Sequence, residues 1–269
     1  MKYALVDSLR HKAFPGGIGN CPTCGAAMIA KCGPRIMHHW AHADRRNCDL
    51  WWENETPWHR EWKALFPDDC QEISHIADNG EIHRADIKTP TGIVIEVQHS
   101  SMTDAERESR EAFYSNLVWI LDGGPFRQNF DIYHILPDPN SELAKDLVWF
   151  KAKRQLMGAR AGLFLRLSEG LLDDPNATKA NLNSGWIHGI HEIKEQVEQE
   201  YRGHHQYDWV RPRNTWLDAT CPVFVDFGGD FLAKLETYDE SELNCIRLVS
   251  KQKFVLDVMT KDNSFDIAS

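Results

Sequence analysis

EIHRADIKTPTGIVIEVQ, residues 81–98, carries two strand-like runs on either side of a four-residue turn signal, Thr89-Pro-Thr-Gly92. In the second run Ile93, Ile95 and Val97 alternate with Val94, Glu96 and Gln98, the period-2 pattern of a strand with two distinct faces. Asp86 lies in the first run and Glu96 in the second. A turn this short predicts an antiparallel pair whose side chains converge at one end of a sheet.

Working outward, TPWHREWKALF (56–66) places Trp58, Trp62, Leu65 and Phe66 at helical spacing, with Pro57 tolerated in the first turn. Glu55, His59 and Lys63 form a second line at steps of four. Downstream, Thr103 followed by Glu106 offers a capping box for a helix running to about Asn116. Leu117-Val-Trp-Ile-Leu121, ended by Asp-Gly-Gly, fits a strand buried on both faces. Helix, strand, strand, helix, strand predicts an α/β fold with a mixed sheet flanked by helices.

The totals bound what such a fold can do. With 269 residues, 42% hydrophobic and 26% charged, the chain can bury a core and has globular composition. No stretch approaches the ~20 apolar residues of a membrane helix, and MKYALVDSLRHK lacks the features of a secretory signal. Seven cysteines, an odd number that includes a CxxC pair, point to thiols and a metal site in a reducing compartment; a cytoplasmic protein is expected. A formal net charge of -10 argues against indiscriminate coating of nucleic acid, whose phosphates recruit Lys and Arg. Acidic residues that hold cations facing a phosphate escape that objection.

Composition divides the chain into 1–50, 51–150 and 151–269. The first segment holds Cys21-Pro-Thr-Cys24-Gly25, the spacing of a zinc knuckle, and then His39-Trp40-Ala41-His42. Cys21, Cys24, His39 and His42 complete a tetrahedral Cys2His2 site, a zinc-ribbon-like module whose Zn2+ is structural. His38, Cys32 and Cys48 compete for places in it. Arg45 and Arg46 offer a weaker nucleic-acid contact.

Asp86 and Glu96 supply hard oxygen donors suited to Mg2+ or Mn2+, with Glu55 as the third carboxylate. Gln98 shares the face of Glu96 and is placed to orient a water or touch a phosphate. At these residues the sequence resembles the competence protein CoiA-like family, a branch of the PD-(D/E)xK nuclease superfamily. The resemblance runs through Cys21-Pro-Thr-Cys24, His39-Trp40-Ala41-His42, Glu55-Thr56 with His59 and Lys63, and Arg84-Ala85-Asp86-Ile87. It continues through Ile95-Glu96-Val97-Gln98 with Ser100, then Arg110 and Tyr114 ahead of Trp119-Ile120-Leu121.

The resemblance covers roughly residues 1–125 and implies a restriction-endonuclease-like core in 51–150. It implies a metal-dependent deoxyribonuclease acting in DNA uptake, recombination or processing, with DNA and protein partners of those processes. Asp86 and Glu96 match the metal-binding acids. Glu55 and His59 match the helix motif, His59 as a phosphate contact or proton carrier, and Gln98 stands where many superfamily members have lysine. Arg84, Ser100, Arg110 and Tyr114 fall to substrate binding. Two other readings stay open: an inactive nucleic-acid-binding or adaptor protein, suggested by the acidic charge and Gln98, and an RNA-directed nuclease.

Beyond residue 125 the resemblance fades. Leu147 to about Arg160 reads as a basic amphipathic helix, and HGIHEIKEQVEQEY (188–201) as a charged one. PVFVDF and FLAKLETY around Gly228-Gly229 read as a β-hairpin, and IRLVSKQKFVLDVM (246–259) as a further pair of strands. Residues 151–269 are therefore expected to form an α+β accessory domain.

Overall fold

The computed structural model describes residues 1–44, 48–49, 51, 55–77, 80–155 and 162–260. The chain divides into two compact units. The first comprises Met1–Ser101, Ser109–Val118 and the segment from Asp257; the second comprises Met102–Glu108 and Trp119–Leu256.

The first unit opens with a five-stranded antiparallel sheet: β1 (Tyr3–Val6), β2 (Leu9–Lys12), β3 (Ile18–Asn20), β4 (Ala27–Gly33) and β5 (Ile36–His42), in the order β2-β1-β3-β4-β5. Asp7 and Ser8, with φ of 50° and 66°, form the two-residue turn between β1 and β2, the left-handed pair that suits the strand twist. Ala4, Cys21, Met28 and Trp40 bury together as its core. Gly19 is required there, since a Cβ would come within 2.7 Å of the Leu5 carbonyl.

Helix α1 (Pro57–Ala64) starts where expected: the Thr56 hydroxyl accepts from the His59 N–H at 3.2 Å, and Pro57 occupies the first turn. Trp62 and Phe66 are buried, but Leu65 is 50% exposed because the helix ends before it and the apolar stripe narrows. Three antiparallel strands follow, β6 (Gln71–Ile76), β7 (Ile82–Lys88) and β8 (Val94–Gln98). Ile87 pairs with Ile95 and Lys88 with Val94 around a turn carrying Gly92 at φ 85°, as the 81–98 pattern requires. Helix α2 (Asp104–Phe113) begins on the Thr103 cap, with the Glu106 N–H 3.2 Å from its hydroxyl, and ends three residues short of Asn116.

Strand β9 (Leu117–Asp122) leads into the second unit. There follow β10 (Phe130–Pro137), α3 (Glu142–Asp146), β11 (Leu147–Trp149), β12 (Leu163–Arg166), α4 (Leu167–Asp173), β13 (His188–Gly189), α5 (Lys194–Gln199), β14 (Tyr201–Trp209), α6 (Asn214–Leu217), β15 (Val223–Asp226), β16 (Phe231–Thr237), β17 (Asn244–Ser250) and α7 (Lys251–Thr260). Its main sheet is mixed: β9 and β15 run parallel, while β15-β16-β17-β14-β10 pair antiparallel. Helices cover it, with Trp216 of α6 against Trp119 at 5.2 Å and Phe254 of α7 against Phe224 at 4.9 Å between ring centroids. A smaller sheet, β11-β12-β13, closes a second core around Leu147, Trp149, Phe164 and Val197.

Several expectations for this half are corrected. The stretch from Leu147 begins as strand β11, because Leu147, Val148 and Trp149 are all buried and leave no polar helix face. Arg154 is tied to Asp131, and Arg160 lies outside the described residues. Only Lys194–Gln199 of HGIHEIKEQVEQEY is α-helical, since His188 pairs with Phe164 and Tyr201 opens β14. The 222–238 hairpin is present as β15-β16. Residues 246–259 form a strand and then a helix, in which Phe254 and Val258, four apart, are both fully buried. Among the described residues no helix is long and apolar enough to cross a membrane.

Candidate functional site

Cys21, Cys24, His42 and Cys48 bring their ligand atoms within 4.8 Å of one another, a Cys3His cluster that can hold a metal. Cys21 Sγ lies 3.7 Å from Cys48 Sγ, and Cys24 Sγ lies 3.4 Å from His42 Nε2. A tetrahedron with a metal such as zinc at its centre has S···S edges of about 3.8 Å and S···N edges of about 3.6 Å, so the donor set fits. Burial pushes the Cys21 thiol up, but the backbone N–H groups of Cys24 and Thr23 outweigh it and the net shift is downward, towards thiolate.

His39 is not in this cluster; Cys48 takes the expected place. Residues 36–42 form a strand, on which positions 39 and 42 have opposite parity and project to opposite faces. His38 shares the parity of His42 but lies four residues, ~13 Å, along the strand. The exposed His39 ring turns to the Met37 carbonyl at 2.9 Å. Arg45 and Arg46 lie outside the described residues.

The second site is the meeting of β7 and β8 beside α1. One step along the Ile87–Ile95 register sets Asp86 opposite Glu96. The Asp86 N–H points to Glu96 Oε1 at 3.4 Å, and Asp86 Oδ2 accepts from the Val97 N–H at 3.1 Å. His59 reaches over from α1, with Nε2 2.9 Å from Asp86 Oδ2, an ion pair approached off the ideal hydrogen-bond direction. Arg110 comes from α2, 3.4 Å from Glu96 Oε2 and 3.3 Å from the Trp51 carbonyl. Asp49, Trp51, Glu55, Arg84 and Gln98 complete the lining of a cavity of about 30 Å3, room for about one or two waters or a small cation. The Asp86 side chain is 20% exposed and that of Glu96 7%.

The two acids are driven apart electrostatically. Burial raises the Asp86 carboxyl, but His59, Lys63 and the Val97 N–H outweigh it and hold the group well below the usual carboxylate range. Burial and the neighbouring Asp86 charge push Glu96 the other way, upward, with Arg110 opposing. His59 is penalised by burial yet raised overall by Asp86. A buried carboxylate pair of this kind, all oxygen donors, has the chemistry of a site that gains from a hard cation.

Glu55 lines the cavity, but its carboxylate is engaged by Lys63, which also pairs with buried Glu72 at 3.0 Å. Among the described residues, the Cys3His cluster is the sole gathering of three or more ligating side chains, so no third carboxylate closes on Asp86 and Glu96. The Gln98 amide donates to the Ser100 carbonyl at 3.2 Å and hydroxyl at 2.9 Å. Exposed Ser100 thus positions Gln98 and does not line the cavity itself. Tyr114 is 1% exposed and packs among Trp51, His75 and Phe113. The expectation that it touches substrate is corrected: the ring is sealed in an aromatic cluster.

Sequence reasoning missed Asp49, which is buried and organises the cavity wall. Its Oδ1 accepts from the Trp51 N–H and faces His83 Nδ1, and its Oδ2 accepts from the Arg84 N–H, each at 3.0 Å. Trp51 stacks on His83 at 3.2 Å between centroids. Neither residue belongs to a periodic run, so no local signal marks them; only the fold brings residue 49 to strand β7. Comparison with known protein families, with curated proteins and with solved structures finds no match for the chain.

Proposed function

We propose that this protein is a divalent-metal-dependent nuclease that hydrolyses DNA phosphodiester bonds, of the restriction-endonuclease-like type that the CoiA-like motifs imply, with Zn2+ as a structural metal in the Cys3His cluster. One observation carries the reading: Asp86 and Glu96, on paired strands, face each other in a cavity that also receives His59, Arg84 and Arg110. Asp86 and Glu96 would hold Mg2+ or Mn2+, with backbone and water oxygens completing the set. Bound there, the cation would polarise the phosphate and acidify a water towards neutrality.

The residues divide the remaining work. Asp86 is kept ionised by His59, and Glu96, raised by burial and by Asp86, would give up its proton on holding a cation. Arg84 and Arg110 place fixed positive charge on the cavity wall, where phosphate oxygens would sit. Gln98, its amide N–H groups donated to Ser100, is a neutral side chain fixed in orientation. Digestion of linear, circular, single-stranded and branched DNA, beside matched RNA, with Mg2+ or Mn2+ tests the reading. Metal-dependent cleavage of DNA is expected, and intact substrates under every condition would end it.

One observation favours the second reading, a nucleic-acid-binding or adaptor protein without catalysis. Arg110 already stands 3.4 Å from Glu96, where it supplies charge that a cation would otherwise bring. Anomalous diffraction from crystals soaked in Mn2+ separates the two: a peak between Asp86 and Glu96 supports the nuclease, and its absence supports the adaptor.

A further inference from the structure

We infer that the groove adjoining the carboxylate cavity is the path of an unpaired segment of polynucleotide, with phosphates held by Lys12 and Arg60 and a base lying against Met37 and His38. The inference rests on the nuclease reading for the identity of the ligand.

The groove has a volume of about 410 Å3 and shares Glu55 with the cavity of Asp86 and Glu96. A strand lying in it would therefore pass beside Glu55, which also borders the candidate cation site. Its wall carries Lys2, Lys12, Arg60 and Lys63, set against Glu55 in the wall, Asp68 at the rim and Glu72 behind Lys63. That is a local excess of positive charge in a chain whose net charge is -10, the footprint of a phosphate-binding surface. Asp68 at the rim pairs with Lys2 at 3.2 Å and Lys12 at 2.5 Å, and Arg60 donates to the Glu55 carbonyl at 2.8 Å. These bonds hold the side chains over the groove, and the Lys12 side chain stays 58% exposed.

The opposite wall is β5. His38 and His39, which the Cys3His cluster does not use, both line the groove, and Met37 beside them is 57% exposed. Imidazole rings and a thioether offer flat, polarisable surface to a base with no sequence preference. The volume lies within the ~300–1,000 Å3 range of pockets that enclose one small molecular unit. An unpaired nucleotide can enter such a hollow, whereas a duplex presents a convex backbone that would only span it. The sequence's surplus histidines and its acidic average are thus reconciled: positive charge is concentrated beside the acids that would hold the cation.

Fluorescence anisotropy with full-length protein in EDTA tests this without cleavage. The probes are a short labelled oligodeoxythymidylate and a blunt duplex of the same length. Wild type is expected to bind the single strand more tightly than the duplex. Lys12→Glu with His38→Glu should weaken single-strand binding about tenfold or more, and the milder Lys12→Met with His38→Ala should weaken it in the same direction. Lys145→Glu with Lys194→Glu, a somewhat larger charge change at exposed lysines of the second unit, should leave it unchanged. Equal loss in that control, no loss in either groove variant, or tighter duplex binding overturns the inference. If wild type cleaves DNA while the groove variants bind normally, the groove falls and the nuclease stands. If nothing cleaves but groove variants lose binding, the groove stands and catalysis falls.

Discussion

Lys63 holds two carboxylates, Glu55 at the edge of the cavity and Glu72 behind it. Glu72 also accepts from the Lys2 N–H at 2.8 Å and adopts a left-handed φ of 50°, a conformation that costs about 1 kcal/mol and persists where surroundings over-determine it. Burial would raise its carboxyl, but Lys63 and Arg84 prevail and hold it at about 2. A depressed carboxylate stabilises the fold fully above its unfolded value of ~4.5, and the contribution is lost as pH falls towards 2. Glu72→Gln should cost about 3 kcal/mol at pH 7, read from urea unfolding, and the gap to wild type should narrow steadily between pH 5 and pH 2. A pH-independent gap would mean the carboxylate's charge is not what stabilises. At this scale Asp86, Glu96 and His59 were legible because each sits in a run with a clear period. Asp49 and Glu72 were not, because their roles arise from contacts between segments distant in sequence, and Cys48 was legible only as one of several competing ligands.

At the scale of elements, the alternation at 81–98 and the hairpin at 222–238 were readable from pattern and turn chemistry alone. Strand β6 was not: Gln71 and Glu72, both bonded to distant Lys2, interrupt the apolar signal that marks strands. Helix α7 was taken for a strand because Phe254, Val255 and Leu256 form a short apolar run, which periodicity cannot assign. Phe254→Ala should cost about 3–5 kcal/mol in equilibrium unfolding, since the ring is fully buried against Phe224; a loss under about 1 kcal/mol would contradict that packing. The choice of Cys48 over His39 follows from residues 36–42 being a strand, with its alternation of faces. Elemental analysis of purified protein should find about one zinc per chain in wild type and His39→Ala. Cys48→Ala should lose most of it, with a lower melting temperature. Metal lost from His39→Ala and kept by Cys48→Ala would reverse the ligand assignment.

Across the whole molecule, the candidate chemistry is confined to the first unit. There α1, β7, β8 and the end of α2 line the carboxylate cavity, and the five-stranded sheet, α1 and the start of β6 line the adjoining groove. The second unit carries a larger mixed sheet and its own cores. An acidic chain with a locally basic groove should bind nucleic acid weakly and with a shallow salt dependence, of slope about 0.7 per phosphate contacted on a single strand. Everything proposed for catalysis depends on two acids on adjoining strands sharing one divalent ion. The most direct test is the Mn2+-dependent DNA cleavage rate of Asp86→Asn and Glu96→Gln, each shown by circular dichroism to be folded. Hydrolysis at this pair requires both rates to fall about a hundredfold or more; either variant cleaving within twofold of wild type would contradict it.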